Sequence, residues 1–425
     1  MSSDTSSLRS VVTFGAGVVV GLILALNGTR LYMKKKDEKE EECDGMSIES
    51  LARKNIRELE PYRCARDDYE EGILLDANEN AVGPALAVSD GLVSTEIISS
   101  LNRYPDPYQK ELKELVGKMR GVNHEHIFVG VGSDEAIDLL FRVFCEPRRS
   151  ECLIMPPTYG MYKVCAAAND IQILSAPLEP ETFDIDVTKV LKTVTSATRL
   201  VFVTSPGNPT SRLVSRDRLL ELLLKLPRTT LLIVDEAYLD FGQGENLSMS
   251  PLVHQYSRLV VLHTLSKAFG LAGARLGTAI AHPDIIRLMN NLKAPYNINS
   301  ITSKIACQAL SDLKPVQSTI NLLLEQRESL AKALLALPYV EKVYPSDANF
   351  LLVKFKPANR AKLLYKTLAD AGVVVRFRGD QMHCSGCLRI TVGTKTDNDA
   401  LLSKLNQIAP NIMLTSNDNI LEDYI

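Results

Sequence analysis

The sequence predicts an α/β protein: a large domain with a mostly parallel, seven-stranded sheet flanked by helices, a smaller α+β domain after it, and an N-terminal hydrophobic helix. Three observations carry this. Short, continuous apolar runs rich in β-branched residues alternate with amphipathic stretches, as βαβ units do. After Ile301 the texture changes to longer helices and sparser strands. Ahead of residue 47 lies an apolar run of near-membrane length, ended by charge.

The elements follow in chain order. Val11 to Leu26 is apolar and contains five glycines or alanines; Leu31, Tyr32 and Met33 extend it, and Lys34, Lys35 and Lys36 end it. A cleaved signal would put positive charge on the other flank and be followed by a small-x-small site, and Asp4 with few arginines argues against a mitochondrial presequence. The expectation is a transmembrane helix over 11–33 whose lysines hold the C-terminal side in the cytosol, giving a membrane-tethered protein with its globular part facing cytoplasm. The Lys- and Glu-dense stretch from Lys34 to Cys43 then reads as a solvated linker. Residues 1–46 are set apart on these grounds, 47–89 form an arm and part of the small domain, 90–303 the large domain, 304–411 the small domain and 412–425 a tail.

In the large domain, strands are expected at Ile127–Val131, Cys152–Met155, Ile171–Leu174, Leu200–Val203, Leu231–Val234, Leu259–His263 and Thr278–Ala281. Continuous apolar runs of this kind suit strands buried on both faces of a parallel sheet. Asp134–Phe144 and Arg216–Leu224 are helical patterns between them. Val316–Leu335 is too long for an ordinary crossover, and short strands follow at Phe350–Val353, Val373–Val375 and Cys387–Val392. A ligand crevice belongs at the strand C-termini.

Bulk composition excludes several functions. The 425 residues are 45% hydrophobic and 23% charged, values of a globular chain, and the formal net charge of -3 gives no basic field for nucleic acid. The eight cysteines, at 43, 64, 145, 152, 165, 307, 384 and 387, are mostly isolated, unlike a disulfide framework, which favours a reducing compartment. Cys384 and Cys387 have CxxC spacing, but no second pair completes a metal site, and none is expected.

Four strings carry chemistry. In Leu231-Leu-Ile-Val-Asp235-Glu-Ala-Tyr238 an acid closes a buried strand and needs a partner. A protonated pyridine nitrogen would serve, as would a magnesium ion, and a capping role also fits. Ser205-Pro-Gly-Asn208-Pro-Thr210 follows the strand ending at Val203; Asn208 can donate to an anionic ring oxygen without bringing charge, although a plain turn fits too. In Thr264-Leu-Ser266-Lys267-Ala-Phe-Gly-Leu-Ala-Gly-Ala-Arg275 a lysine follows a buried strand among small residues. A desolvated lysine loses proton affinity and becomes a nucleophile toward aldehydes, whereas a surface-loop lysine would not need such walls. Arg275 with Thr264 and Ser266 can hold a phosphate dianion. Finally, Gly130-Val-Gly132-Ser133-Asp134 turns from strand into helix, where free N–H groups make an anion site and Ser133 is expected to cap. Tyr159 follows the next strand and either lays its ring on a ligand face or fills the core.

Taken together, these strings resemble the fold-type I aminotransferases that use pyridoxal 5'-phosphate (PLP). The flanking strings narrow the resemblance to the histidinol-phosphate aminotransferase family, eukaryotic or fungal branch, over about residues 47–411: Asn55-Ile-Arg57, Pro61-Tyr62 with Ala65-Arg66, Asn78-Glu79-Asn80, Arg103-Tyr104-Pro105-Asp106-Pro107, Val373-Val-Val-Arg376-Phe-Arg378-Gly and Cys387-Leu-Arg389-Ile-Thr-Val-Gly-Thr394. The resemblance implies an enzyme that exchanges an amino group between L-histidinol phosphate and 2-oxoglutarate in histidine biosynthesis. It implies Lys267 as the lysine bonded to the cofactor aldehyde and as proton shuttle, with Asp235 on the ring nitrogen, Asn208 and Tyr238 on the ring oxygen and Tyr159 stacking. It further implies phosphate held by Gly132, Ser133, Asp134, Ser266 and Arg275, Tyr104 reaching in from a second subunit of a homodimer, and Arg376, Arg389 and Asn80 on the small-molecule substrate. Val82 stands where bacterial members carry an aromatic residue, and Ser211 where glycine is usual, so substrate breadth is open at Val82. Two other readings stay open: another fold-type I PLP enzyme, such as an aromatic amino-acid aminotransferase or an amino-acid phosphate decarboxylase, and a scaffold built on a dead enzyme, which would lack at least one cofactor group.

Overall fold

The computed structural model describes residues 52–86 and 95–414. Residues 52–58 belong to a unit of their own, in which Lys54–Arg57 is a single helical turn. The second unit, from Leu59, holds everything else.

A two-residue strand, β1 (Ile73–Leu74), opens that unit. Seven strands then build one sheet: β2 (Ile127–Val131), β3 (Glu151–Ile154), β4 (Gln172–Ser175), β5 (Thr198–Thr204), β6 (Leu231–Asp235), β7 (Leu259–Thr264) and β8 (Leu276–Ala281), in spatial order β2-β8-β7-β6-β5-β3-β4. Each expected apolar run is one of these strands, with ends shifted by one or two residues. The four pairings from β7 to β4 are parallel, and β8 runs antiparallel to both its neighbours. The eleven positions from Leu265 to Arg275 between β7 and β8 contain no crossover helix, so the chain can only turn back beside β7.

Helices at Gly132–Phe144, Met161–Ala168, Val187–Thr193 and Arg216–Lys225 connect the strands. The inner strands are buried on both faces: every residue of β7 and β8 is buried. That explains why their sequences lack the alternation of a half-exposed strand.

Lys314–Leu335 is a 22-residue helix leading to a second sheet. Its strands are β9 (Val340–Val343), β10 (Phe350–Phe355), β12 (Arg376–Phe377) and β13 (Cys387–Thr391), all antiparallel, in order β12-β13-β10-β9. Between them, β11 (Val373–Val374) pairs in parallel with β1, which ties residues 73–74 to this part of the chain. Sequence periodicity missed β9 and β12, since Val-Glu-Lys-Val and Arg-Phe are too short and polar to stand out.

One expectation is corrected. Among the described residues no helix is long and apolar enough to cross a membrane. The transmembrane helix expected over 11–33 lies outside the described residues, and the described fold comprises the α/β and α+β parts.

Candidate functional site

Because β2, β3, β5, β6 and β7 run the same way, their C-terminal ends share one edge of the sheet. All four sequence strings bring their polar residues to that edge. They converge with Arg376 and Arg389 on a cavity of about 400 Å³ that is lined by Gly132, Ser133, Asp134, Tyr159, Asn208, Asp235, Tyr238, Ser266, Lys267 and Arg275.

Asp235 closes β6 and is 3% exposed. Its Oδ2 accepts a 2.6 Å hydrogen bond from the Tyr162 hydroxyl, and its Oδ1 accepts one of 3.2 Å from the Ala237 N–H. Both donors are neutral. Burial pushes its carboxyl up to about 6, against the downward pull of the Tyr162 bond. Tyr162 is itself fixed by stacking on Phe202 at 4.5 Å and by Thr204 Oγ1 at 2.9 Å.

Lys267 lies three residues past β7. Its Nζ donates to the Ala77 carbonyl at 3.0 Å and sits 5.7 Å from the Tyr238 ring centroid. Burial, then the nearby Arg389 guanidinium, lowers its ammonium to about 8. The loop around it is held by close backbone approach: Gly270 has a positive φ of 65°, and a Cβ there would overlap the Gly83 carbonyl.

The anion cup forms where the helix Gly132–Phe144 meets the start of β8. Gly132 has φ +71°, and a Cβ on it would come within 2.6 Å of Arg275 Nη2. A Cβ on Gly277 would overlap the Ser133 nitrogen. The Gly132 N–H donates to the Arg275 carbonyl at 3.0 Å, whereas the N–H groups of Ser133 and Asp134, in the first turn, have no acceptor within their own helix and suit an anion. Arg275 Nη2 reaches Asp134 Oδ2 at 3.3 Å, and Ser266 Oγ lies 2.9 Å from Thr264 Oγ1. The expected cap is corrected: the N-cap position is Val131, without a side-chain cap, and Ser133 sits inside the first turn.

Asn208 and Tyr238 share a buried hydrogen-bond chain. Asn208 Nδ2 donates to the Tyr238 oxygen at 3.4 Å, and Asn78 Nδ2 donates to the same oxygen at 3.1 Å. Arg389, 4% exposed, donates from Nη1 to Asn208 Oδ1 at 2.8 Å and from Nη2 to the Asp76 carbonyl. Arg376 stands opposite Arg389 in the β12–β13 pair and donates to the Arg63 carbonyl at 2.6 Å. Tyr159 donates to Asp134 Oδ1 at 3.1 Å and meets Tyr62 edge-on at 6.2 Å.

Two expected residues fall elsewhere. Asn80 does not line the cavity: its Nδ2 donates to the Lys267 and Ala268 carbonyls at 3.3 and 3.1 Å, and its Oδ1 accepts from the Val82 N–H. These bonds hold the lysine loop. Tyr104 is 81% exposed, stacked on Tyr296 at 4.6 Å and away from this cavity. Sequence reasoning missed Tyr162, Asn78 and Arg378. A tyrosine three positions after Tyr159, on the first turn of a helix facing β5 and β6, was the available signal for Tyr162. Cys384 and Cys387 are free, fully buried thiols, and their mutual hydrogen bond with burial raises Cys387 further.

The family model "Aminotransferase class I and II" matches residues 70–405. The chain is 45% identical to the histidinol-phosphate aminotransferase of Candida maltosa, over 86% of this chain and 99% of the relative. It is 44% identical to the enzyme of that name from Saccharomyces cerevisiae, over 84% and 96% respectively. Among solved structures, that of histidinol-phosphate aminotransferase from Sinorhizobium meliloti in complex with pyridoxal-5'-phosphate superposes with a TM-score of 0.76 at 21% identity, covering 87% of this chain and 99% of the other. Matching the family model over most of its length and these curated relatives over nearly the whole of theirs, the chain belongs to the class I and II aminotransferase family.

Proposed function

We propose that this chain catalyses amino transfer between L-histidinol phosphate and 2-oxoglutarate, using PLP. The observation that carries the reading is a buried strand-end carboxylate with only neutral hydrogen-bond donors, facing the same cavity as a lysine with depressed proton affinity and a glycine-lined anion cup. That combination fits PLP, which presents a pyridine nitrogen, an aldehyde and a phosphate. It fits a metal ion poorly: among the described residues no group of three or more His, Cys, Asp or Glu could hold one. The curated relatives carry the name of this activity.

When bound, PLP supplies an aldehyde that bonds amines and a ring that draws electrons from the amine-bearing carbon. Asp235 would hold a proton on the ring nitrogen, and that positive partner would relieve a carboxylate whose burial otherwise raises its pKa to about 6. Asn208 and Tyr238 donate to the ring oxygen, and Tyr159 covers the ring face. The backbone at Gly132 to Asp134, with Ser133, Ser266 and Arg275, holds the phosphate. Lys267 would hold the aldehyde end, and its amine, near pKa 8, could take and return a proton at the substrate Cα close to neutral pH. Arg376 and Arg389 hold the anionic end of each substrate, since a guanidinium fork serves phosphate and carboxylate alike. We also read the chain as a homodimer in which exposed Tyr104 serves the neighbouring subunit's cofactor, and as divided into the regions 47–89, 90–303 and 304–411.

The test is a substrate comparison on PLP-loaded enzyme with 2-oxoglutarate as acceptor. Histidinol phosphate should be turned over with kcat/KM at least about 100-fold above phenylalanine, roughly the discrimination that a lost charge-assisted contact network gives. The reverse preference would replace this reading with an aromatic aminotransferase.

A further inference from the structure

Four arginines line the cavity: Arg275 belongs to the anion cup, Arg376 and Arg389 are read above as substrate-binding, and Arg378 has no assigned role. Arg376 lies directly across from Arg389 in the β12–β13 pair. Arg378 is two residues past Arg376, with its N–H on the Cys387 carbonyl at 3.0 Å. Alternation along a strand puts residues two apart on one face, so the three side chains emerge together and all line the cavity.

Their commitments differ. One N–H on each terminal nitrogen of Arg389 is used, on Asn208 and Asp76, and Arg376 is tied to the Arg63 carbonyl through Nη2. Arg378 makes a single 3.4 Å bond from Nη1 to the Phe377 carbonyl, leaving its Nη2 uncommitted, and its Nε, like that of Arg389, is buried without a partner among the described residues. Of the cavity's acids, Glu79 pairs with Arg66, Asp134 with Arg275, and Asp235 is held by Tyr162 and the Ala237 N–H, while Asp76 lies 3.8 Å from Arg66 with its Oδ1 without a hydrogen bond. Asp380, on the loop after β12, is the acid that acts on Arg378 electrostatically. Burial and the two neighbouring arginines weaken its hold on its own proton, lowering it to about 9. Three like charges held this closely leave an excess that a multivalent anion offsets.

We propose that Arg378 is a specificity-determining residue: the third guanidinium of the substrate-anion subsite, which favours a doubly charged phosphate over a singly charged carboxylate. The inference rests on the activity proposed above. A carboxylate offers two oxygens, which Arg376 and Arg389 can serve. A phosphate monoester offers three and a second charge, and Arg378 has the uncommitted donors for them.

The experiment measures the two half-reactions separately on PLP-loaded wild type, Arg378→Gln and Arg378→Lys, with L-histidinol phosphate and with L-glutamate as amino donors. In Arg378→Gln the ratio of the two kcat/KM values, phosphate over carboxylate donor, should fall roughly 10- to 100-fold, the range of a lost charge-assisted hydrogen bond. The loss should appear in KM, Arg378→Lys should recover part of it, and the inhibition constant of inorganic phosphate should rise by a similar factor. An unchanged ratio, or equal loss with both donors, overturns the proposal even if the variant is impaired. Failure of the wild type to accept histidinol phosphate at all would instead sink the underlying reading of the activity.

Discussion

Replacing Asp235 with asparagine should separate what the carboxylate does for the cofactor from what it costs the fold. Its carboxyl is lifted from an ordinary 3.8 to about 6 by burial. That difference corresponds to about 3 kcal/mol of destabilisation in the cofactor-free protein once the group is ionised. The sign follows from linkage: a group with a raised folded-state pKa contributes stability at low pH and loses it as pH rises from about 4 through 6. Asparagine can still accept from Tyr162 but gives up one of the two bonds, a loss of about 1 kcal/mol. The net expectation for Asp235→Asn is a gain of about 2 kcal/mol above pH 7, or roughly 2–3 °C in Tm for a chain of this size. No gain is expected at pH 4. Thermal unfolding of the cofactor-free proteins, at fixed protein concentration across pH 4–8, reads this directly. The same variant should lose on the order of 100-fold or more in kcat with PLP present, because the ring proton is no longer held. A stability difference independent of pH, or a variant less stable than wild type at pH 8, would refute the reasoning.

Other substitutions probe the remaining parts of the site. In cofactor-free enzyme, amine-directed labelling of Lys267 should rise with a midpoint near pH 8 rather than 10.5, read by peptide mass spectrometry; a midpoint above 10 would contradict the desolvated lysine. Tyr162→Phe should destabilise the cofactor-free protein by about 1.5–3 kcal/mol at pH 8 and by much less at pH 4, because the lost bond serves an ionised carboxylate. Gly277→Ala should cost about 1–3 kcal/mol in stability through overpacking against Ser133. It should also weaken PLP affinity about tenfold or more in equilibrium titrations, as the helix start is pushed from the cup. Asn80→Ala should leave PLP bound but loosen the Lys267 loop, seen as faster amide exchange at Lys267 to Phe269.

What could be read from the sequence was what is local. A continuous apolar run such as Leu231 to Val234 specifies a buried strand by itself, and an acid, turn or lysine right after such a run must emerge at the strand's end. Hence the sequence alone puts Asp235, Asn208, Lys267 and Gly132 at strand ends on one edge. Contacts between distant segments carry no such local mark. Tyr162 reaches Asp235 across 73 positions, and Asn80 reaches Ala268 across 188. Asn80 was consequently expected on the substrate when it braces the lysine loop. Arg378 escaped notice because β12 is only two residues long, so nothing in the sequence fixed which face its neighbours share. Ser133 reads as a cap because it stands before an apolar pattern, whereas Gly132 with its positive φ starts the helix one residue earlier.

The most direct measurement of the central claim is a single-turnover reaction without an acceptor. PLP-loaded enzyme mixed with excess L-histidinol phosphate should release one equivalent of the corresponding ketone phosphate per subunit, and later addition of 2-oxoglutarate should yield one equivalent of glutamate. Lys267→Ala should yield neither. Release of carbon dioxide from an amino-acid phosphate in place of amino transfer, or undiminished turnover by Lys267→Ala, would contradict the account.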